Sequence, residues 1–130
     1  CDNFHVVGSN FKAVQDKECF HDDQCSALVS IEKGMIACQA AAAMLYQRFF
    51  SSASALDPEH GTSEVSLAES QVKRAFFGAS RETILCIDSS KLGQQSVALG
   101  FALTEVTLLI TELDPQDSRL DAYRSQVELL

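Results

Sequence analysis

Apolar runs alternate along the chain with amphipathic stretches, the pattern of a parallel sheet flanked by helices. Phe4 to Val7 predicts a short strand ending at Gly8-Ser9-Asn10, and the residues after it predict a helix to about Cys19. Phe20 to Gln24 is polar and acidic, as a loop is. Ala27 to Ile31 reads as a second strand, closed by Glu32-Lys33-Gly34. Met35 to Tyr46 is alanine-rich and helical by propensity, with almost no polar face. Burial on more than one side is therefore expected for it, under the sheet or in a subunit interface.

Arg48 to Ala53 predicts a third strand, leading into a turn at Asp57-Pro58-Glu59-His60-Gly61. The next helix is announced by a capping box, Ser66 with Glu69 three residues on, and by Ala68, Val72, Ala75, Phe76 and Ala79 recurring on one face. Thr83 to Ile87 is apolar on both faces, as a central parallel strand requires, and it stops at Asp88-Ser89-Ser90-Lys91. Val106 to Thr111 repeats that pattern. Asp114-Pro115 predicts the start of a helix to about Tyr123, and Gln126 to Leu130 a last strand. The expected fold is α/β, a mostly parallel sheet in Rossmann-like layers within a single domain.

Composition narrows the function. Across 130 residues, 18 acidic against 10 basic side chains leave a formal charge of −8. Affinity for phosphate backbones comes from lysine and arginine, so this stretch is not expected to grip nucleic acid itself. Five cysteines, odd in number and irregularly spaced, point to a reduced compartment, the cytoplasm. No uncharged run reaches membrane-spanning length, so no membrane partner is expected. The start, Cys-Asp-Asn-Phe, reads as a cut end of a longer chain.

Ligands of open parallel sheets bind beyond the carboxyl ends of the strands. Four segments are expected there: Gly8-Ser9-Asn10, Asp57 to Gly61, Asp88 to Lys91, and Thr111-Glu112. In the third, a lysine and two serine hydroxyls suit a phosphate or carboxylate of a small ligand. The alternative is that Asp88 caps the turn and Lys91 is a solvated charge. Glu69 and Lys73, one helical turn apart, have the order that stabilises an exposed helix. His60 is either a proton shuttle or a solvated loop histidine. Cys19, His21, Asp22 and Cys25 fit no zinc spacing, and no metal is expected. Gly-rich dinucleotide turns, phosphate-loop patterns and nucleophile elbows are missing, so no cofactor is expected either.

Three motifs in register carry a resemblance. Ala79-Ser-Arg-Glu-Thr-Ile-Leu-Cys-Ile-Asp-Ser-Ser-Lys-Leu-Gly93 resembles the strand and turn of the effector-sensing domain of DeoR-type bacterial transcriptional regulators, Ala-x-Arg-Glu, four apolar residues, then x-Asp-Ser-Ser-Lys-Phe-Gly. Asp57-Pro-Glu-His-Gly61 through Glu69 and Val72-Lys-Arg-Ala75 is similar to the family's Asp-Pro-x-x-Gly turn and Glu-x-x-Val-Lys-Arg helix. Leu103 to Thr111 is similar to its Leu-x-x-Val-Asp-x-Leu-Ile-Thr-Asp strand. The likeness runs from about Gly34 to Leu130.

The resemblance implies a fold like that of ribose-5-phosphate isomerases and CoA transferases, and a sensor that binds a phosphorylated sugar or related anionic metabolite. Operator DNA would be bound by an N-terminal helix-turn-helix domain absent from this chain, and the default assembly is a homo-oligomer. By position, Asp57, Glu69, Lys73, Asp88 and Lys91 would surround the effector, with Lys91 on its anionic group. Val6-Val-Gly-Ser9-Asn10 stands for the family's Val-Val-Thr-Asn-Ser loop, which adds Ser9 and Asn10. Three departures follow. Ser54 and Ala55 replace a pocket aspartate and a glycine, Ser63-Glu64 replaces a Thr-Thr pair, and Glu112 replaces the strand-closing aspartate. An isomerase-like enzyme using Asp57 or Glu69 as its proton-moving carboxylate, and an oligomerisation module built on Met35 to Tyr46, are the competing readings.

Overall fold

In the computed structural model, the residues described are 4–7 and 31–130, with side chains from Met35 onward. The elements are β1 (Phe4–Val7), α1 (Ile31–Ala42), β2 (Tyr46–Ser51), β3 (Ala55–Asp57), β4 (Gly61–Glu64), α2 (Leu67–Gly78), β5 (Ser80–Cys86), β6 (Ala98–Leu99), β7 (Leu108–Ile110), α3 (Asp121–Arg124) and β8 (Glu128–Leu129). A parallel sheet runs in the order β1-β2-β5-β7-β8, each strand added beside the one before it. The expected α/β architecture is therefore the observed one. Three consecutive residues of β5, Thr83, Ile84 and Leu85, are buried, because both faces of this strand are covered.

A second sheet, antiparallel and ordered β3-β4-β6, was not anticipated. Its β3-β4 hairpin turns at the expected Pro58 to His60, and Gly61 adopts φ +80°. A side chain at Gly61 would collide with the Phe101 carbonyl oxygen, so glycine alone suits this crossing. The hairpin escapes notice in the sequence because Gly-Thr-Ser-Glu is not an apolar run; Thr62, Ser63 and Glu64 are all buried polar residues.

One core joins the layers. Phe49, Leu85 and Leu109 of three neighbouring strands pack with Val72 and Phe76 of α2 and with Leu120, Tyr123 and Val127 near the carboxyl end. Phe49 stacks on Phe76 at 5.8 Å between ring centroids.

Several expectations need correction. Ile31 and Glu32-Lys33-Gly34 belong to α1 and do not close a strand. That helix stops at Ala42, and Tyr46 opens β2, where its ring packs against Phe76. Among its described side chains only Ala41 is fully buried, with Ala37 and Cys38 packed on the core, so among the described residues α1 buries one side and not several. Asp114-Pro115 starts no long helix. The Asp114 and Asp117 carboxylates accept from the amides of Gln116 and Arg119 at 2.8 and 2.9 Å, and these local turns compete with helix, leaving a single 3-10 turn at Ser118–Leu120 and the short α3. The expected helix to Cys19, the loop at Phe20 to Gln24 and most of the strand at Ala27 to Ile31 lie outside the described residues.

Candidate functional site

Carboxyl ends of three neighbouring parallel strands converge on one edge: β2 runs into Ser52 to Ser54, β5 into Asp88 to Lys91, and β7 into Thr111-Glu112. Ser9 and Asn10, expected at the end of β1, lie outside the described residues.

After β5 the chain makes a single 3-10 turn, Ser89–Lys91, because Asp88 accepts from the Ser90 amide at 3.0 Å and from the Ser90 hydroxyl. These hydrogen bonds, the hydroxyl's first, hold the Asp88 carboxyl below its usual range. Glu112 takes the Ser89 amide with both oxygens at 3.0 Å and the Thr111 hydroxyl at 2.7 Å. Hydrogen bonding from Ser89, then Thr111, brings its pKa down to about 2. The turn is anchored from behind: Gly93, at φ +70°, donates its amide to the Leu56 carbonyl and to the Tyr123 hydroxyl, which itself donates to Leu56 at 3.1 Å.

Cys86, Ile87, Asp88, Lys91, Ile110, Thr111 and Glu112 line an open hollow of about 410 Å³. Lys91 borders it with a side chain 26% exposed, and its ammonium lies 3.8 Å from Asp88, a loose pair. The cation thus faces a concavity flanked by two carboxylates.

Beyond β2, α2 begins at Ser66, whose hydroxyl accepts the Glu69 amide at 3.2 Å. The Glu69 carboxylate serves a different partner, Lys73, at 3.1 Å. Here the sequence expectation is corrected: the Glu69-Lys73 pair is not on an exposed helix face, and the Lys73 side chain is only 1% exposed. Its ammonium donates to Glu64 at 2.8 Å and to the Ser52 carbonyl at 2.9 Å, while Ser54 donates to the other Glu64 oxygen at 2.9 Å. Two carboxylates thus share one ammonium in a site closed to water. Desolvation dominates and pushes the Glu64 carboxyl above its usual range against the pull of Lys73. Ser52 is the residue that the motifs do not point to; Glu64 stood out only as a departure from the family's Thr-Thr pair, and the fold makes it the counter-ion of Lys73. The signal for Lys73 was present, since positions 69, 72, 73 and 76 form one helical stripe and Val72 and Phe76 are core.

Asp57 is not at the end of a parallel strand, as had been expected of Asp57 to Gly61; it sits at the hairpin turn of the small sheet. There it accepts from the Glu59 amide at 2.7 Å and from Gln95 at 2.6 Å, with His60 Nδ1 at 3.2 Å. The Glu59 amide, then His60, keeps its carboxyl below the usual range. The structure therefore brings Ser54, Glu69 and Lys73 together with Glu64, and brings Asp88 and Lys91 together with Glu112, while Asp57 belongs to a third group.

No described helix is long and apolar enough to cross a membrane, and among the described residues no cluster of His, Cys, Asp and Glu is arranged to hold a metal ion. With a parallel sheet, a polar carboxyl edge and the motifs on them in place, comparison with known families is decisive. The family model for the DeoR C-terminal sensor domain matches residues 27–113. The chain belongs to that family. No curated protein matches it. A DeoR sensor domain is a regulatory part, and membership implies binding of a small-molecule effector.

Proposed function

We propose that this DeoR sensor domain binds a phosphorylated sugar or a closely related anionic polyol in the hollow beyond β5 and β7. The ligand then alters operator affinity of a DNA-binding domain in the same regulator. The observation that carries this reading is the juxtaposition of Lys91 with Asp88 and Glu112 around one concavity. An ammonium pairs with the anionic group, and carboxylates accept hydrogen bonds from sugar hydroxyls. Regulation requires that the effector prefer one conformation or assembly over another.

Thermal unfolding against a panel of sugar phosphates tests it. A ligand at a hundred times its dissociation constant stabilises by about 2.7 kcal/mol, and Lys91→Ala removes that gain. Stabilisation by an uncharged metabolite, with none from any sugar phosphate, sinks the assignment.

A further inference from the structure

Glu112 lines the open hollow from the end of β7, while Asp88 and Lys91 line it from the turn after β5. Both Asp88 oxygens are engaged within their own turn, Oδ1 by the Ser90 amide and hydroxyl and Oδ2 by Lys91. Glu112 is held from across the strands: the Ser89 amide donates to both of its oxygens at 3.0 Å, and the Thr111 hydroxyl donates to Oε2 alone. Standing where the family motif has aspartate, glutamate is one methylene longer and spans to the turn of the neighbouring strand. A carboxylate has about four acceptor positions, so Oε1 keeps one unfilled. The carboxylate is thus ordered before any ligand arrives, which spares the cost of fixing a flexible side chain. The same hydrogen bonds keep it ionised.

Charge decides what such a group admits. Asp88 and Glu112 outnumber Lys91 within the hollow, and Arg119, which also acts on Glu112, is committed to Asp117 at 2.8 and 3.0 Å. An anion with nothing to donate gains Lys91 and is repelled by Glu112; one that carries hydroxyls gains Lys91 and a charge-assisted hydrogen bond. We propose that Glu112 is a specificity-determining residue of the effector hollow: its carboxylate selects an anion that also bears a hydroxyl and turns away bare anions and ligands with two anionic groups. The inference rests on reading this hollow as the effector site, and it narrows the effector class to polyols with a single anionic group, placed at Lys91. Discrimination of this kind needs a repulsive element beside the attractive one, and a single carboxylate supplies both.

The probes are ribose 5-phosphate and pentyl phosphate, which share a phosphate and a carbon count and differ in their hydroxyls. Dissociation constants are measured by calorimetry at constant pH and ionic strength on the unaltered chain, Glu112→Gln and Lys91→Ala. The unaltered chain is expected to prefer ribose 5-phosphate. In Glu112→Gln that preference should fall by about tenfold, the size of one charge-assisted hydrogen bond, with pentyl phosphate binding tighter and ribose 5-phosphate no tighter. A purely Coulombic role moves both probes together, so equal tightening of both, or an unchanged preference, overturns the proposal. If Glu112→Gln fails to fold, Glu112→Asp decides: charge stays and reach is lost, so ribose 5-phosphate alone should weaken, and an unchanged preference again overturns it. Lys91→Ala tells the two readings apart. Loss of both probes in Lys91→Ala, with an unchanged preference in Glu112→Gln, leaves the hollow as effector site and removes only the role of Glu112. Binding of either probe that survives Lys91→Ala, or binding of neither to the unaltered chain, removes the reading of the hollow and this inference with it.

Discussion

Lys73 illustrates how little a charged side chain's pattern says about its surroundings. One helical turn after Glu69, it has the spacing of a solvated pair, yet it is sealed under the edge of the sheet. Lys73→Met leaves two carboxylates without their counter-ion in low dielectric, and about 3–5 kcal/mol of stability should be lost in urea unfolding. Glu112 provides the contrasting case, exposed yet strongly tuned. Its pKa falls from 4.5 to about 2 because the folded chain donates hydrogen bonds to the ionised form. A depressed folded value means that its stabilisation is present above 4.5 and disappears as pH falls through about 2. Urea unfolding across that window should show a loss of stability in the unaltered chain that is smaller in Glu112→Gln, and identical profiles would separate Glu112 from acid sensitivity.

Between elements, the important joint links β3, α3 and the turn after β5. Tyr123 is buried, and its hydroxyl both donates to Leu56 and accepts from Gly93. Tyr123→Phe keeps the packing but removes the hydroxyl, so a cost of about 1–3 kcal/mol is expected, together with weaker effector binding because Lys91 loses the anchor behind its turn. Stability loss with unchanged effector affinity would confine Tyr123 to a structural role. The strand at β5 was legible because its apolar residues are consecutive and its terminator, Asp-Ser-Ser-Lys, is abrupt. The hairpin of β3 and β4 was not, since its turn was visible but its buried residues are polar and acquire their partners from distant segments: Thr62 from Phe101, Glu64 from Lys73. The helix expected after Asp114 failed for a local reason, two aspartates bonding to amides two residues ahead.

Among the described residues, an apolar side of α1 and its exit is left exposed: Ile36 is 63% and Leu45 88% exposed, and Met35 is also exposed. Association of copies through this side, proposed here as the homo-oligomeric form, has a direct test. Ala40 is itself exposed, so Ala40→Glu adds charge without disturbing the core. Sedimentation should show a smaller species with effector response retained, and an unchanged mass would remove this face from the assembly.

Sequence alone determined the layered α/β class, the parallel central strands, the capped start of α2 and the turn that carries Lys91, because each depends on neighbours a few residues away. Whether a given carboxylate is a ligand contact, a cap or an internal counter-ion was decided only in three dimensions. Glu64 meets Lys73 across 9 residues of chain and Glu112 meets Ser89 across 23. Charge and burial at such sites depend on which segments the fold brings side by side, and no local periodicity records that.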